Sequence, residues 1–202
     1  MKPLLAFVLS LLGSLHIVNQ PTPTPAPYVP FSVAKPPRES LRGELTTLSG
    51  DVLWQSRTAT EGAKITTSQA ILQGEALSTG SKGAASIEFN GAASMSLSSE
   101  SAISFIQTLP ANIVINQTSG TVAYTRSGTV PLSIRVLGLL LNVDEGEIMV
   151  AVNPLRPIIT VEVKKGIVTA GFNDLYLVSN VVNISQGHIF YFNNETRKTD
   201  LK

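Results

Sequence analysis

From Ser86 to Ser98 apolar residues fall on every second position, a period of two that fits a strand with one buried and one wet face and does not fit a helix. Ile87 and Phe89 alternate with Ser86, Glu88 and Asn90. Beyond Gly91 the pattern resumes as Ala93, Met95 and Leu97 against Ser94, Ser96 and Ser98. Asn90-Gly91 between the two runs is a tight-turn pair, because Gly takes positive φ without steric cost and Asn tolerates it. The stretch from Gly74 to Leu97 therefore predicts turn glycines followed by a β-hairpin.

The rest of the chain repeats this theme. From about Leu45, short apolar runs are separated by Gly, Asn, Asp or Ser, and no stretch has helical periodicity. Gly50-Asp51 predicts a turn into a strand ending at Trp54, followed by runs at Ala63–Ile65, Ala70–Leu72 and Ala102–Ile106. Ile113–Ile115 reads as one strand, and Ser119-Gly120 as a turn into Thr121–Tyr124. Leu132–Val136 alternates cleanly, whereas Leu137–Val143 is apolar enough to be covered on both faces. Glu145-Gly146-Glu147 predicts a turn into Ile148–Val152. Ile158–Val163 is expected to pair across Lys164-Lys165-Gly166 with Ile167–Ala170. Leu175–Val178, Val181–Ile184 and Ile189–Phe192 complete a set of about a dozen short strands. Such spacing implies an all-β protein, either a β-sandwich or a flattened β-solenoid.

Residues 1–18 have a different character. Leu4–Val18 is an uncharged apolar run of about 22 Å as a helix, short of the roughly 30 Å hydrocarbon layer. It is expected to act as a signal peptide or a short membrane anchor, leaving the remainder exported, periplasmic or extracellular. Residues 19–44 form a Pro-rich linker, which favours extended polyproline II and reads as a stalk carrying a domain over residues 45–202.

Composition narrows the chemistry. Fifteen Lys and Arg balance fourteen Asp and Glu with no basic run, so the electrostatic footprint of a nucleic-acid binder is missing. Without cysteine there is no disulfide, thiolate metal site or Cys nucleophile. The one histidine beyond the apolar run, His188, follows Gly187 at an expected turn and has no recognisable catalytic companion. Asp144, Glu145 and Glu147 are the single local acidic cluster, read first as a solvated hairpin turn, second as a weak cation site and third as catalytic carboxylates.

One arrangement resembles a known family. Gly50-x3-Trp54 is followed by Leu72-x-Gly74-Glu75-x-Leu77-x-Thr79-Gly80-x3-Ala84-x2-Ile87-x-Phe89-Asn90-Gly91, which is similar to the FecR domain signature G-D-x-I-x-T-G, a strand and an Asp-Gly turn. Ile115-x4-Gly120-x-Val122, Val161-x4-Gly166-x-Val168 and Ile184-x2-Gly187 resemble its later units, so the likeness runs over roughly residues 48–192. Glu75 and Asn90 stand where the family has Asp, and Gly146-Glu147 where it has Gly-Thr. The resemblance implies structural turn roles for Gly74, Glu75, Thr79, Gly80, Asn90 and Gly91.

The expected function is a non-enzymatic, cofactor-free binding or assembly module at the cell envelope, with a protein or glycan partner and with membrane contact through residues 4–18 if these are retained. Two alternatives stand beside it. In one, Trp54, Tyr124 and Tyr176 supply stacking contacts to a carbohydrate or cell-wall ligand. In the other the protein is a sensory or regulatory component of transmembrane signalling. Regulators of the resembled family contact a sigma factor through a segment preceding their membrane helix. Met1-Lys2-Pro3 is too short for that contact, so signalling would run through a partner.

Overall fold

The alternating runs do become strands, and the strands fold into two facing layers. The structure, a computed structural model, describes residues 39–202 apart from Pro154; the apolar run and the linker up to residue 38 lie outside the described residues. Among the described residues there are fifteen strands and no helix. In chain order they are β1 (Gly43–Ser49), β2 (Val52–Gln55), β3 (Ala63–Lys64), β4 (Ala70–Ile71), β5 (Ala76–Thr79), β6 (Ala84–Phe89), β7 (Ala93–Leu97) and β8 (Ala102–Leu109), then β9 (Asn112–Arg126), β10 (Leu132–Val136), β11 (Leu139–Val152), β12 (Ile158–Asn173), β13 (Ser179–Ser185), β14 (Ile189–Asn193) and β15 (Thr199–Leu201).

The hairpin forms as its alternation predicts: β6 pairs with β7 in the register Phe89↔Ala93 to Ala85↔Leu97. Ile87, Phe89, Met95 and Leu97 are buried, each side chain contributing about 1.5–3 kcal/mol by leaving water. The loop between them holds three residues, Asn90 to Ala92, with Gly91 at φ 67.

Three strands are far longer than the sequence pattern suggests, because their central glycines bend a strand instead of ending it. β9, β11 and β12 have 15, 14 and 16 residues, and Gly120, Gly146 and Gly166 sit inside them at φ 79, 113 and 84. Gly146 lies directly opposite Gly166, with register shifts at Val143/Glu145 and Glu147/Ile148 marking bulges on both sides. A Cβ on Gly166 would meet the Glu145 carbonyl oxygen at 1.8 Å, so the two backbones cross there with no room for a side chain.

Each bent strand contributes one half to each layer. The first layer runs β15-β14-β12-β11-β9-β7-β6-β1-β4, using the start of β12 and the ends of β11 and β9. The second runs β13-β12-β11-β10-β9-β8-β5-β2-β3, using the opposite halves. β10 lies parallel to the first half of β9, and the other pairings are antiparallel. Phe172 on the last half of β12 meets Phe192 of β14, the neighbour of its first half, at 5.1 Å between ring centroids. Phe89 and Phe105 meet across the opposite flank at 5.8 Å. The core between the layers is aliphatic and aromatic, with Tyr124 its largest polar member.

The expected turns at Ser119-Gly120, Glu145-Gly146-Glu147 and Lys164-Lys165-Gly166 are thus corners within strands. Ile158–Val163 and Ile167–Ala170 accordingly do not pair: they face each other from opposite layers. Leu175–Val178 is a loop, not a strand, and Leu137 belongs to a turn with φ 53 ahead of β11. Leu140 is exposed, so the start of β11 is covered on one face only.

Candidate functional site

Two residues of the resembled motif, Thr79 and Gly80, sit at the end of the sandwich marked by the Gly120 corner, where a side-chain hydroxyl does the joining, while the Asn90-Gly91 turn lies beside Arg126 at the other end. Thr79, the last residue of β5, donates to the Ser98 carbonyl at 2.6 Å and accepts the Ser101 N–H at 3.0 Å. The Ser101 hydroxyl in turn reaches the Thr121 carbonyl at 3.0 Å and accepts the Thr121 N–H at 3.0 Å. Thr79 and Ser101 are both buried, so these bonds replace water the backbone cannot reach. The result ties β5, the Ser98–Ser101 loop and the corner of β9 together. Gly120 has no space for a side chain, since a Cβ there would meet Ser101 Cα at 2.3 Å.

This clamp forms one wall of a wide groove. Its volume is about 1090 Å³, and Ser99, Glu100, Ser119, Thr121, Arg156 and Thr160 line it. Hydroxyls, one carboxylate and one guanidinium supply hydrogen-bonding groups there beside the apolar side chains of Val152, Leu155 and Ile158. No aromatic side chain takes part.

Gly80 fills its turn role through its backbone and without a positive φ, donating to the Asp51 carbonyl at 2.8 Å and accepting from Gly83 at 2.9 Å and Glu100 at 3.2 Å. The sterically demanding glycine of this turn is Gly83, where a Cβ would lie 2.2 Å from the Asp51 carbonyl oxygen. Gly74 does sit at φ 86, in the turn that places Glu75.

Glu75 and Trp54, which the sequence offers separately as a turn residue and a ligand candidate, form one unit. The buried Glu75 carboxylate accepts the Trp54 indole N–H at 2.9 Å and the Leu72 N–H at 2.8 Å through the same oxygen. A neighbouring depression of about 600 Å³ includes Glu75, Arg42 and Arg57 but not the indole ring. Tyr124, the second aromatic candidate, is fully buried and is no surface ligand. Its hydroxyl donates to Gln117 Oε1 at 3.0 Å, and Gln117 Nε2 donates to the Gly120 and Val150 carbonyls, each at 3.0 Å. Burial pushes the Tyr124 phenol above its ordinary value of 10.0. Gln117 lies seven residues from Tyr124, about 23 Å along a straight strand, so this bond exists only because β9 folds at Gly120. Tyr176, the third candidate, is exposed in the β12–β13 loop. The trio makes no common stacking platform.

Asp144, Glu145 and Glu147 lie on β11 at its corner, not in a hairpin turn. Asp144 and Glu145 point to solvent on either side of the bulge and Glu147 is half-buried. Among the described residues no three His, Asp or Glu side chains are gathered closely enough to hold a metal ion. The corner is stabilised instead by Arg126, whose guanidinium donates to the backbone carbonyls of Val143, Asp144 and Thr129. His188 is exposed in the β13–β14 turn, its Nδ1 facing the Ser185 carbonyl at 3.2 Å. Ser101, Gln117 and Arg126 were not singled out by sequence pattern. Each acts on a backbone group distant in sequence, which local spacing does not reveal.

No protein-family model and no curated protein matches the sequence. The fold is similar to two crystal structures described as those of a "putative anti-sigma factor" from Parabacteroides distasonis. They are 13% and 12% identical to this chain, and each superposes with a TM-score of 0.54. In both cases 63% of this chain is covered, and the match spans 58% of the length of the other protein. At this identity the likeness concerns the fold, an all-β architecture shared with proteins so described.

Proposed function

We propose that the protein is an exported, non-enzymatic FecR-like module with a regulatory role, exercised by holding a segment of a protein partner in the groove beside the Thr79 clamp. The observation that carries this reading is the coincidence of motif and groove: Thr79 and Gly80, within the stretch Gly74–Gly91 where the FecR resemblance is specific, form one wall of the groove. The fold likeness to proteins described as anti-sigma factors supports a regulatory role over a purely structural one. A protein segment suits the lining better than a glycan, since hydroxyls with one Glu and one Arg match backbone and side-chain polar groups while no aromatic ring is present for sugar stacking.

Transcript profiling of the natural host provides the test. Deleting the gene should change a discrete set of transcripts. Wild-type protein should restore them, and Thr160→Trp, which fills the groove from β12, should not. A deletion that leaves transcription unchanged under envelope stress refutes the regulatory role, and full complementation by a stably folded Thr160→Trp protein refutes the groove as its site.

A further inference from the structure

The groove end of the sandwich also exposes apolar side chains. The loop joining β12 to β13 reads Asp174-Leu175-Tyr176-Leu177-Val178, and Leu175, Tyr176 and Leu177 are 66%, 88% and 81% exposed. It is nevertheless a built loop. Asn173 pairs with Ser179 beneath it, and the Asp174 carboxylate accepts the N–H groups of Tyr176 at 2.8 Å and Val178 at 2.9 Å. The Asp174 N–H donates to the Val178 carbonyl at 3.0 Å, and the Leu177 N–H to the Asp174 carbonyl at 3.1 Å. Leu177 is held at φ 64, a conformation that Gly or Asn adopts far more readily than leucine. Leucine is therefore kept there, exposed, against both its backbone and its hydration preference.

Neighbouring turns add to the same surface. Leu139 pairs with Phe172, which sets the Leu137-Gly138 turn beside the end of β12; Leu137 is exposed there, also at positive φ. The Gly138 N–H donates to Asn194 Oδ1 at 3.0 Å, and the Asn194 N–H to the Pro157 carbonyl at 2.7 Å. Those bonds bring in the β14–β15 turn and the β11–β12 loop, where Leu155 is 92% exposed. Arg156, Arg197 and Lys198 lie around this rim, with Glu100, Asp174 and Glu195 as its anions. The Asp174 carboxylate is already engaged by two amides.

We infer that this end docks on a lipid surface, with Leu175, Tyr176 and Leu177 entering the boundary between headgroups and acyl chains. Three observations favour lipid over a protein partner as the occupant. Four of the five N–H groups of Asp174–Val178 are met within the loop, which lowers the cost of taking it out of water. A tyrosine between two leucines suits the interface, where its ring is buried and its hydroxyl wet. Cations at the rim complement anionic headgroups. The inference rests on the export and membrane proximity expected from residues 4–18; a Pro-rich spacer over 19–37, at about 3 Å per residue or roughly 57 Å in all, would let any face of the domain reach a bilayer.

The chain has no cysteine, so a single Tyr176→Cys substitution in the full-length protein gives a unique site for an environment-sensitive nitrobenzoxadiazole label, and Gln186→Cys in the β13–β14 turn gives a control. Vesicles of phosphatidylcholine with phosphatidylglycerol should blue-shift and brighten the label at 176, and spin-labelled lipid should quench it. The label at 186 should behave as in water. Adding Leu175→Ser and Leu177→Ser should abolish the response at 176 without lowering the melting temperature, since both side chains are exposed. A label at 176 that stays water-like while the protein floats with the vesicles overturns the inference, because residues 4–18 alone then hold the membrane. Equal responses at 176 and 186 also overturn it. So does a label at 176 that ignores vesicles but responds to a soluble protein fraction. None of these readouts depends on transcription, so failure here is separable from failure of the proposed regulatory role.

Discussion

Thr79→Val tests whether the clamp is held by a hydroxyl or only by shape. Valine reproduces the outline of threonine but removes the donor to the Ser98 carbonyl and the acceptor for the Ser101 N–H. Ser101 is 1% exposed, so its amide is left buried without a partner, at about 1–3 kcal/mol. The Ser98 carbonyl belongs to an exposed residue and turns to water, so its loss adds only about 0.5–1 kcal/mol. Together these give a destabilisation of about 1.5–4 kcal/mol, or roughly 3–16 °C in melting temperature for a domain of this size. Urea unfolding followed by Trp54 emission, with calorimetry in parallel, measures it. Thr79→Ser is the control, keeping the hydroxyl and losing one methyl, about 1 kcal/mol. A Thr79→Val protein within about 0.5 kcal/mol of wild type, or a Thr79→Ser protein equally damaged, would show that the hydroxyl is not what fastens the Ser98–Ser101 loop.

Gly166→Ala should cost at least about 3 kcal/mol in urea unfolding, because its Cβ meets the Glu145 carbonyl at 1.8 Å and its φ is 84; a change below about 1 kcal/mol would mean the corner relaxes freely. Tyr124→Phe leaves Gln117 Oε1 without its donor inside the core and should destabilise by about 1–3 kcal/mol. The same tyrosine sets an alkaline limit. Its folded-state value is raised, so its contribution is fully present below pH 10.0, where the phenol is neutral in both states, and falls as pH rises above 10.0 and the unfolded chain ionises first. Tyr124→Phe should flatten that decline in the urea midpoint, and an unchanged slope would exclude Tyr124 as its source. Glu75→Ala frees the only indole, so Trp54 emission should shift to the red with a loss of about 1.5–3 kcal/mol; an unmoved spectrum would show the indole bond to be dispensable.

Local periodicity made the all-β class legible, since a residue's burial in a strand depends on its immediate neighbours, and Ile87, Phe89, Met95 and Leu97 signal their own face. The corners were not legible as corners. Gly120, Gly146 and Gly166 present the same local signal as hairpin glycines, positive φ between two alternating runs. Only the partners across the sheet distinguish a strand that returns from one that bends into the other layer. The same limit applies to the site. Thr79 and Glu75 were visible as motif residues, but Ser101, Gln117 and Arg126 act over 18 to 33 residues of intervening chain. The run Leu175–Val178 misled for the opposite reason. Four apolar residues in succession normally seek cover, and here Asp174 folds them into a turn that leaves them outside.

The corners at Gly120, Gly146 and Gly166 also govern how the protein comes apart. In a sandwich whose layers meet only through side chains, one sheet can loosen while the other persists. Here three covalent strands pass through both, so tension on the exposed edge β13 travels along the peptide backbone of β12 into the opposite layer and on to β14. The two faces are stitched, and a stitched fabric tears as one piece. Amides on both halves of β9, β11 and β12 should therefore exchange their hydrogens with a single opening free energy, and the rim that carries the loop and the groove stands on a base that cannot yield one layer at a time.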